Sequence, residues 1–86
     1  MSSRVSVIIV NYNAGEALSR CVRSVAATEE DLEIIVVDNA SGDGSMDLVR
    51  SVDTGGKRLH VIQNSRNLGF AAACNQGSAV AKGEFF

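Results

Sequence analysis

Three short stretches of this chain gather the side chains that could do chemistry. Residues 11–15 (Asn-Tyr-Asn-Ala-Gly), 38–44 (Asp-Asn-Ala-Ser-Gly-Asp-Gly) and 64–69 (Asn-Ser-Arg-Asn-Leu-Gly) are crowded with Asn, Asp, Ser and Gly. Asp38 carries the most specific chemistry. An ionised carboxylate only accepts hydrogen bonds. Uracil and thymine present an N3–H donor, whereas cytosine and adenine present lone pairs at the corresponding ring nitrogens. An aspartate at a strand end can therefore select a uridine or thymidine nucleotide. The same residue type equally makes an Asx turn or caps a following helix. Tyr12 offers a ring on which a base could stack, worth about 1–3 kcal/mol by analogy with single-strand binding. The competing reading puts Tyr12 partly buried beneath the first helix. Turn making and capping account well for Gly15, Ser41, Gly42 and Gly44. They account less well for two whole triplets, Asn11-Tyr12-Asn13 and Asp38-Asn39-Ala40, each directly after an apolar run.

Other chemistries find little support. A dinucleotide site would want G-x-G-x-x-G after the first strand, and the chain has Asn-Tyr-Asn-Ala-Gly-Glu there. The phosphate loop G-x-x-x-x-G-K-[ST] is absent, and Gly42-Asp43-Gly44 is a lone glycine pair. A phospho-acceptor receiver would want acidic residues where Asn11 and Asn13 stand. His60 is the only histidine, which leaves a zinc site or a Ser-His-Asp triad little to build on. Cys21, on an apolar helix face, and Cys74, among alanines, are expected to be buried small hydrophobes in a reducing compartment.

The elements that must position these loops follow from hydrophobic periodicity. Residues 5–10 (Val-Ser-Val-Ile-Ile-Val) read as a buried strand. Leu18, Cys21, Val22 and Val25 fall at i, i+3, i+4 and i+7, which predicts a helix over residues 15–27. Residues 32–37 form a second buried strand that stops at Asp38. Ser41 and Asp43 are expected to cap a short helix marked by Met46, Leu48, Val49 and Val52. Residues 53–57 break it, and residues 59–63 form a third, shorter strand. Residues 69–81 read as a helix dense in small residues, with Gly83 as its C′ residue. Residues 84–86 begin a fourth strand. The order βαβαβαβ predicts a parallel sheet with right-handed crossovers. Near-continuous apolar strands imply that both sheet faces are covered. In such a fold ligands bind beyond the carboxyl ends of the strands, where the three polar stretches fall.

Composition narrows the classes. The chain has 86 residues, 45% hydrophobic and 21% charged, which reads as one globular domain over residues 1–86. Eight basic residues against ten acidic ones give a net charge of −2, so nucleic acid is not the expected partner. No apolar run reaches the roughly 18 residues of a membrane span. Residues 1–10 faintly imitate a signal peptide, but no small-residue cleavage site follows, and a cytoplasmic location is expected. A chain this short hides only about 60% of its unfolded surface, so marginal packing is expected unless another polypeptide covers the open sheet.

The residues resemble a known family. Val5-Ser-Val-Ile-Ile-Val-Asn-Tyr-Asn13, Leu18-x-x-Cys21-x-x-Ser24-Val25 and Glu33-Ile-Ile-Val-Val-Asp-Asn-Ala-Ser-Gly-Asp-Gly-Ser45 resemble the amino-terminal half of family 2 glycosyltransferases. Asn64-x-x-Asn67-Leu-Gly-Phe-Ala-x-Ala-x-Asn75-x-Gly77 and Ala81-Lys-Gly-Glu-Phe-Phe86 continue the match in order. The Asn-Tyr-Asn and Asn-Leu-Gly-Phe forms look most like the rhamnosyltransferase-type branch.

The resemblance implies a GT-A fold, a Rossmann-like three-layer α/β/α arrangement spanned here for about four strands, and a nucleotide-diphospho-sugar donor, UDP- or dTDP-linked. It puts Val10, Asn11, Tyr12 and Asn13 beside the nucleoside and Asp38 on the uracil or thymine N3–H. It puts Asn39 and Asp43 in the same loop, Asp43 as a helix cap, and Gly69, Phe70 and Asn75 near the ribose and diphosphate. Some members carry a basic residue at the position of Gly69; here Arg66, three residues earlier, is the candidate for the diphosphate. For Gly69, Ala71, Ala72 and Gly77, close helix–sheet packing is the competing expectation. The family's metal-binding Asp-x-Asp follows the fourth strand and its general base lies further on. A Mg²⁺ or Mn²⁺ ion is therefore expected for the full-length enzyme and none for this chain alone, which is expected to be inactive by itself. The glutamates at 16, 29, 30, 33 and 84 are expected at solvated or cap positions, and none is assigned as the base. The acceptor implied is a glycan or lipid hydroxyl. A different class of reading is a non-catalytic nucleotide-binding or assembly module that pairs its open sheet edge with another chain or a second copy. A nucleotidyltransferase would want a glycine- and arginine-rich first loop, which residues 11–15 lack.

Overall fold

The computed structural model describes residues 5–28 and 31–81 and the strand residues 84–85. Its elements alternate as the periodicity predicts: β1 (Val5–Asn11), α1 (Glu16–Ala26), β2 (Leu32–Asp38), α2 (Ser45–Arg50), β3 (Leu59–Gln63), α3 (Phe70–Val80) and β4 (Glu84–Phe85). The expected C′ residue Gly83, the side chains of Glu84 and Phe85, and residues Glu29, Glu30 and Phe86 lie outside what is described.

The sheet is parallel throughout, in the order β3-β2-β1-β4. The chain steps outward from β1 to β2 and β3, then returns to lay β4 on the other side of β1. The order reverses between β1 and β4, and ligands of open parallel sheets sit outside the carboxyl ends of the strands. Asn11 pairs in register with Asp38, and Asp38 with Gln63, so one rung of polar residues closes the carboxyl edge.

β2 is buried along its whole length. Ile34 and Val36 face α1 and α2, against Leu18, Val22, Ala26, Met46 and Val49. Ile35 and Val37 face α3, with Ala73, Ile8, Val10 and Ile62. Cover on both faces is why the strand lacks polar alternation. Each such aliphatic side chain contributes about 1.5–3 kcal/mol when fully buried. It also explains one departure from expectation: Glu33, read as solvated, is 2% exposed on this central strand.

α1 buries Leu18, Ser19, Val22 and Ala26. Cys21 is exposed, not buried as expected. At about 100° per residue it lies to the side of Leu18 away from Ser19 and Ala26, off the inward stripe. Cys74 is half-buried. The far end of α1 is held by a residue that periodicity assigns only to a break. The Lys57 ammonium donates to the carbonyl oxygens of Ala26 (3.0 Å) and Thr28 (2.6 Å), satisfying orphan acceptors at the helix C-terminus. No described helix is long and apolar enough to cross a membrane.

α3 approaches β1 through small residues. The packing expectation holds for Gly77, which is buried, and fails for Gly69 and Ala71, which are exposed. A Cβ at Gly77 would stand 2.7 Å from Ile8 Cγ2 and 3.2 Å from Ile8 Cδ1 and Cγ1. Ile8 is β-branched, with little freedom to turn aside. Gly77→Ala is therefore expected to destabilise by about 1–3 kcal/mol through overpacking, more than the helix-propensity gain of about 1 kcal/mol returns. Urea denaturation checks this: a midpoint at or above that of the unsubstituted chain would show that α3 can lift away from β1.

Candidate functional site

The carboxyl edge of the sheet is built from the rung upward. Asn11 and Asp38 end adjacent strands and turn their side chains to the same face, toward α2. Both are almost fully buried. A buried carboxylate requires compensating donors, and this one has three. Asp38 Oδ1 accepts from Asn11 Nδ2 (2.8 Å) and from the Ser41 hydroxyl (2.6 Å), and Oδ2 accepts from the Ser41 backbone N–H (3.1 Å). The last of these closes a loop over three residues, one longer than the Asx turn expected at Asp38. Closing it puts Ala40 in the left-handed region, φ 65°, at a cost of about 1–2 kcal/mol for a residue with a Cβ.

Ser41 does not cap α2, contrary to expectation. Its hydroxyl oxygen instead accepts from Asn13 N (2.8 Å) and Asn11 Nδ2 (3.0 Å) while donating to Asp38. It thereby ties the loop after β1 to the loop after β2. Two further bonds cross the same junction: Gly42 N–H donates to Asn13 Oδ1 (2.8 Å), and Gly15 N–H donates to Asp43 Oδ2 (2.9 Å). Asp43 is not the N-cap of α2 either: that position is Gly44, without a side-chain cap bond, and Asp43 Oδ1 accepts from Ser45 N–H at 3.0 Å in an Asx turn just ahead of the helix. The α2 helix can begin there because Gly44 takes φ 80°. Asn11 Nδ2 also reaches Ser45 Oγ (2.9 Å) and Met46 Sδ (3.8 Å), and Asn11 Oδ1 accepts from Ala14 N–H (3.2 Å).

A second junction joins the loops after β2 and β3. The Asn39 side chain, buried beside Asp38, accepts at Oδ1 from Asn64 Nδ2 (2.9 Å) and Leu68 N–H (3.4 Å). Its Nδ2 donates to the Gly69 carbonyl (3.3 Å). Asn64 and Gln76 exchange two amide hydrogen bonds of 2.8 Å, which fastens this loop to α3. Asn64 and Gln76 were not among the residues singled out from sequence. Asn64 had a signal, its place directly after a strand; Gln76, a lone polar residue in a helix, had none.

The expected site residues thus divide. Asn11 and Asp38 meet in one buried hydrogen-bonded cluster, and Asn39, equally buried, turns its side chain into the second junction. Tyr12, Asn13 and Gly69 lie on the exposed rim of the same edge. Tyr12 is 55% exposed, so it does not sit beneath α1. Phe70, at the start of α3, is 73% exposed. Val10 turns its side chain away into the apolar cluster under α3. Arg66 is exposed in the loop before α3, and Asn75 is exposed on that helix, joined to the cluster by no hydrogen bond. Among the described residues no group of three or more His, Cys, Asp or Glu could hold a metal. The two carboxylates at this edge, Asp38 and Asp43, are already hydrogen-bonded.

The fold and its edge define an open α/β protein with three polar loops joined at the carboxyl ends of β1, β2 and β3. The profile described as Glycosyl transferase family 2 matches residues 6–86, and the chain belongs to that family. It is 36% identical over 86 residues to Glycosyltransferase GlyG of Streptococcus pneumoniae, covering 99% of this chain and 29% of that protein. It is 38% identical over 77 residues to Succinoglycan biosynthesis protein ExoU of Rhizobium meliloti, covering 90% of this chain and 22% of that protein. Mannosyltransferase PcManGT from Pyrobaculum calidifontis, solved in complex with GDP-Man and Mn²⁺, superposes with a TM-score of 0.87 at 27% identity, over 96% of this chain and 26% of that one. The fold is GT-A over the part that this chain spans.

Two outcomes test the edge. Asn11→Asp would set a second carboxylate against Asp38 in place of a donor 2.8 Å away. It is expected to lower stability by several kcal/mol near neutral pH, and to recover as acid protonates one of the pair. A pH series of thermal melts that stays parallel to the unsubstituted chain would contradict this. The Asp43 carboxyl is held below its ordinary value of 3.8 by the Ser45 hydroxyl first, then by the Ser45 and Gly15 backbone N–H groups. A depressed folded value means that its contribution is present above the unfolded pKa and is lost as pH falls through the folded one. The stability gap between the unsubstituted chain and Asp43→Ala should therefore narrow as pH falls below the ordinary carboxylate value of 3.8, read from urea midpoints; a constant gap would show that the charge plays no part.

Proposed function

We propose that this chain is the donor-recognition part of a glycosyltransferase that moves a hexose from a UDP- or dTDP-sugar to a hydroxyl of a glycan or glycolipid. The observation that carries the proposal is the hydrogen-bonded meeting of the three polar loops at the carboxyl ends of β1, β2 and β3, in a chain that belongs to family 2 over residues 6–86. Asp38 accepts the imino N–H of the base. The exposed Tyr12 ring supplies a stacking face, and Asn13 and the Val10–Asn11 backbone border the nucleoside. Gly69, Arg66 and Asn75 serve the ribose and diphosphate from the loop before α3 and from the helix itself. Asn39 acts on that loop from beneath. The dTDP option rests on the likeness to the rhamnosyltransferase-type branch.

The chain spans 22 to 29% of the relatives compared. The divalent cation and the general base are accordingly assigned to other residues of the whole enzyme. The Mn²⁺ in the mannosyltransferase complex supports a cation for the whole enzyme. The succinoglycan relative supports a glycan acceptor. The free thiols Cys21 and Cys74 support a reducing, cytoplasmic setting. A purely structural or assembly role is not favoured, since these relatives are named for glycosyl transfer or polysaccharide synthesis.

Calorimetric titration of the full chain with UDP, dTDP, GDP and CDP tests the donor. UDP or dTDP is expected to bind at least about tenfold more tightly than CDP, the discrimination of one charge-assisted hydrogen bond. Equal affinity for CDP would remove the role assigned to Asp38. A preference for GDP, the nucleotide of the mannosyltransferase complex, would move the donor to the guanosine class, whose N1–H the same carboxylate could accept.

A further inference from the structure

The two junctions at the carboxyl edge share no side chain. The first joins the side chains of Asn11, Asn13, Asp38, Ser41 and Asp43 across the loops after β1 and β2. The second joins those of Asn39, Asn64 and Gln76. Between the two, the described residues make only backbone bonds: Asn39 N–H donates to the Asn11 carbonyl (2.9 Å), and Asn64 N–H to the Asp38 carbonyl (2.8 Å). Asn39 divides along the same line. Its backbone serves the strand ends, and all its side-chain bonds go to the loop before α3. The buried amide accepts from Asn64 Nδ2 (2.9 Å) and Leu68 N–H (3.4 Å) and donates to the Gly69 carbonyl (3.3 Å). The other described bonds of residues 65–69 stay within that loop and the first turn of α3: Gly69 N–H donates to Asn67 Oδ1 (2.8 Å), and Ala73 N–H to the Gly69 carbonyl (3.2 Å). The same loop carries Arg66, exposed and in no hydrogen bond or ion pair with a described residue. A guanidinium with its donors open is well suited to a phosphate.

We propose that the edge reads its donor in two separately supported halves, and that Asn39 is the positioning residue of the second. Asn39 holds residues 65–69 so that Arg66 meets the diphosphate. The Asp38–Ser41 junction holds the residues that meet the nucleoside. This rests on the donor reading above, and deepens it by naming the buried side chain that governs the diphosphate part. Without the Asn39 amide the loop is free, and its conformational entropy must then be lost when a diphosphate binds. Asp38 keeps all three of its own donors in that case, because none comes from Asn39.

The probes are uridine and UDP, titrated into the full chain without added divalent cation. The readout is the ratio of their dissociation constants, in which the share of base and ribose cancels. The unsubstituted chain should bind UDP about tenfold more tightly than uridine, the worth of one charge-assisted bond to phosphate. Arg66→Gln should bring the two within about threefold. Asn39→Ala should do the same with Arg66 intact, while uridine alone binds within about twofold of its original strength. Added to Arg66→Gln, Asn39→Ala should change the ratio no further, because it acts through Arg66. Ser41→Ala, in the other junction, should weaken uridine and UDP alike and keep the ratio. If Asn39→Ala weakens uridine as much as UDP, or lowers the ratio equally beside Arg66→Gln, Asn39 is a general support and the proposal falls. If Asn39→Ala does not fold, Asn64→Ala, which removes a partner of the Asn39 amide, decides in its place: a lowered ratio supports the proposal and an unchanged one overturns it. If Arg66→Gln leaves the ratio unchanged, or the unsubstituted chain does not prefer UDP, the failure is that of the diphosphate reading itself, and the proposal goes with it.

Discussion

The hydrogen bond from Asn11 to Asp38 is the contact on which the carboxyl edge depends. It joins the last residues of two adjacent parallel strands, on one rung, in a place almost without solvent. A carboxylate there must be fully supplied with donors or it would destabilise the strands that carry it. Asn11 supplies one donor and Ser41 two, so the chain after β2 must turn back at once. That turn strains Ala40 and starts α2 only four residues later, through Gly44. The same turn brings Ser41 and Gly42 against the loop after β1. Two loops that sheet topology alone would leave apart become one unit.

The third loop is attached through a different chemistry. Asn39 follows Asp38 and, with the strand ended, spends its whole amide on residues 64, 68 and 69. Amides both donate and accept, so Asn39, Asn64 and Gln76 can be satisfied among themselves without charge. The edge is thus a charged junction on the β1 side and a neutral one on the β3 side. A buried network costs heavily if half made and holds one geometry if complete. Both junctions are complete for the side chains described, which suits an edge that must keep a fixed shape.

Much of this was legible in the residues and part of it was not. The elements were, because apolar runs in the strands and the 18, 22, 25 stripe of α1 have one sensible reading in a parallel sheet. The crevice was, because strand ends and polar loops coincide in sequence. Burial on the central strand was not: Glu33 looks solvated by type, and only the lateral order β3-β2-β1-β4 encloses it. The exposure of Cys21 turns on which side of Leu18 the sheet lies, which periodicity leaves open. Ser41 was read as a cap because Ser before a helix usually caps. Its partners Asn11 and Asn13 lie about thirty residues back, and no local pattern encodes a bond across two loops. Gln76 and Lys57 share that character, since each meets its partner only once the fold has formed.

Burial also separates what must be kept at this edge from what is free to vary. Asn11, Asp38, Asn39 and Ser45 are almost without solvent and hold one another. Tyr12, Arg66 and Phe70 stand outside that cluster. A change in the buried set alters the shape of the crevice, because each side chain there supports two or three others. A change in the rim alters only what a bound molecule meets. Different donor sugars or bases could therefore be accommodated through rim residues with little cost in stability, while the rung beneath stays the same. Asp38 is where the two meet: it anchors the loop junction through both carboxylate oxygens and is the proposed reader of the base.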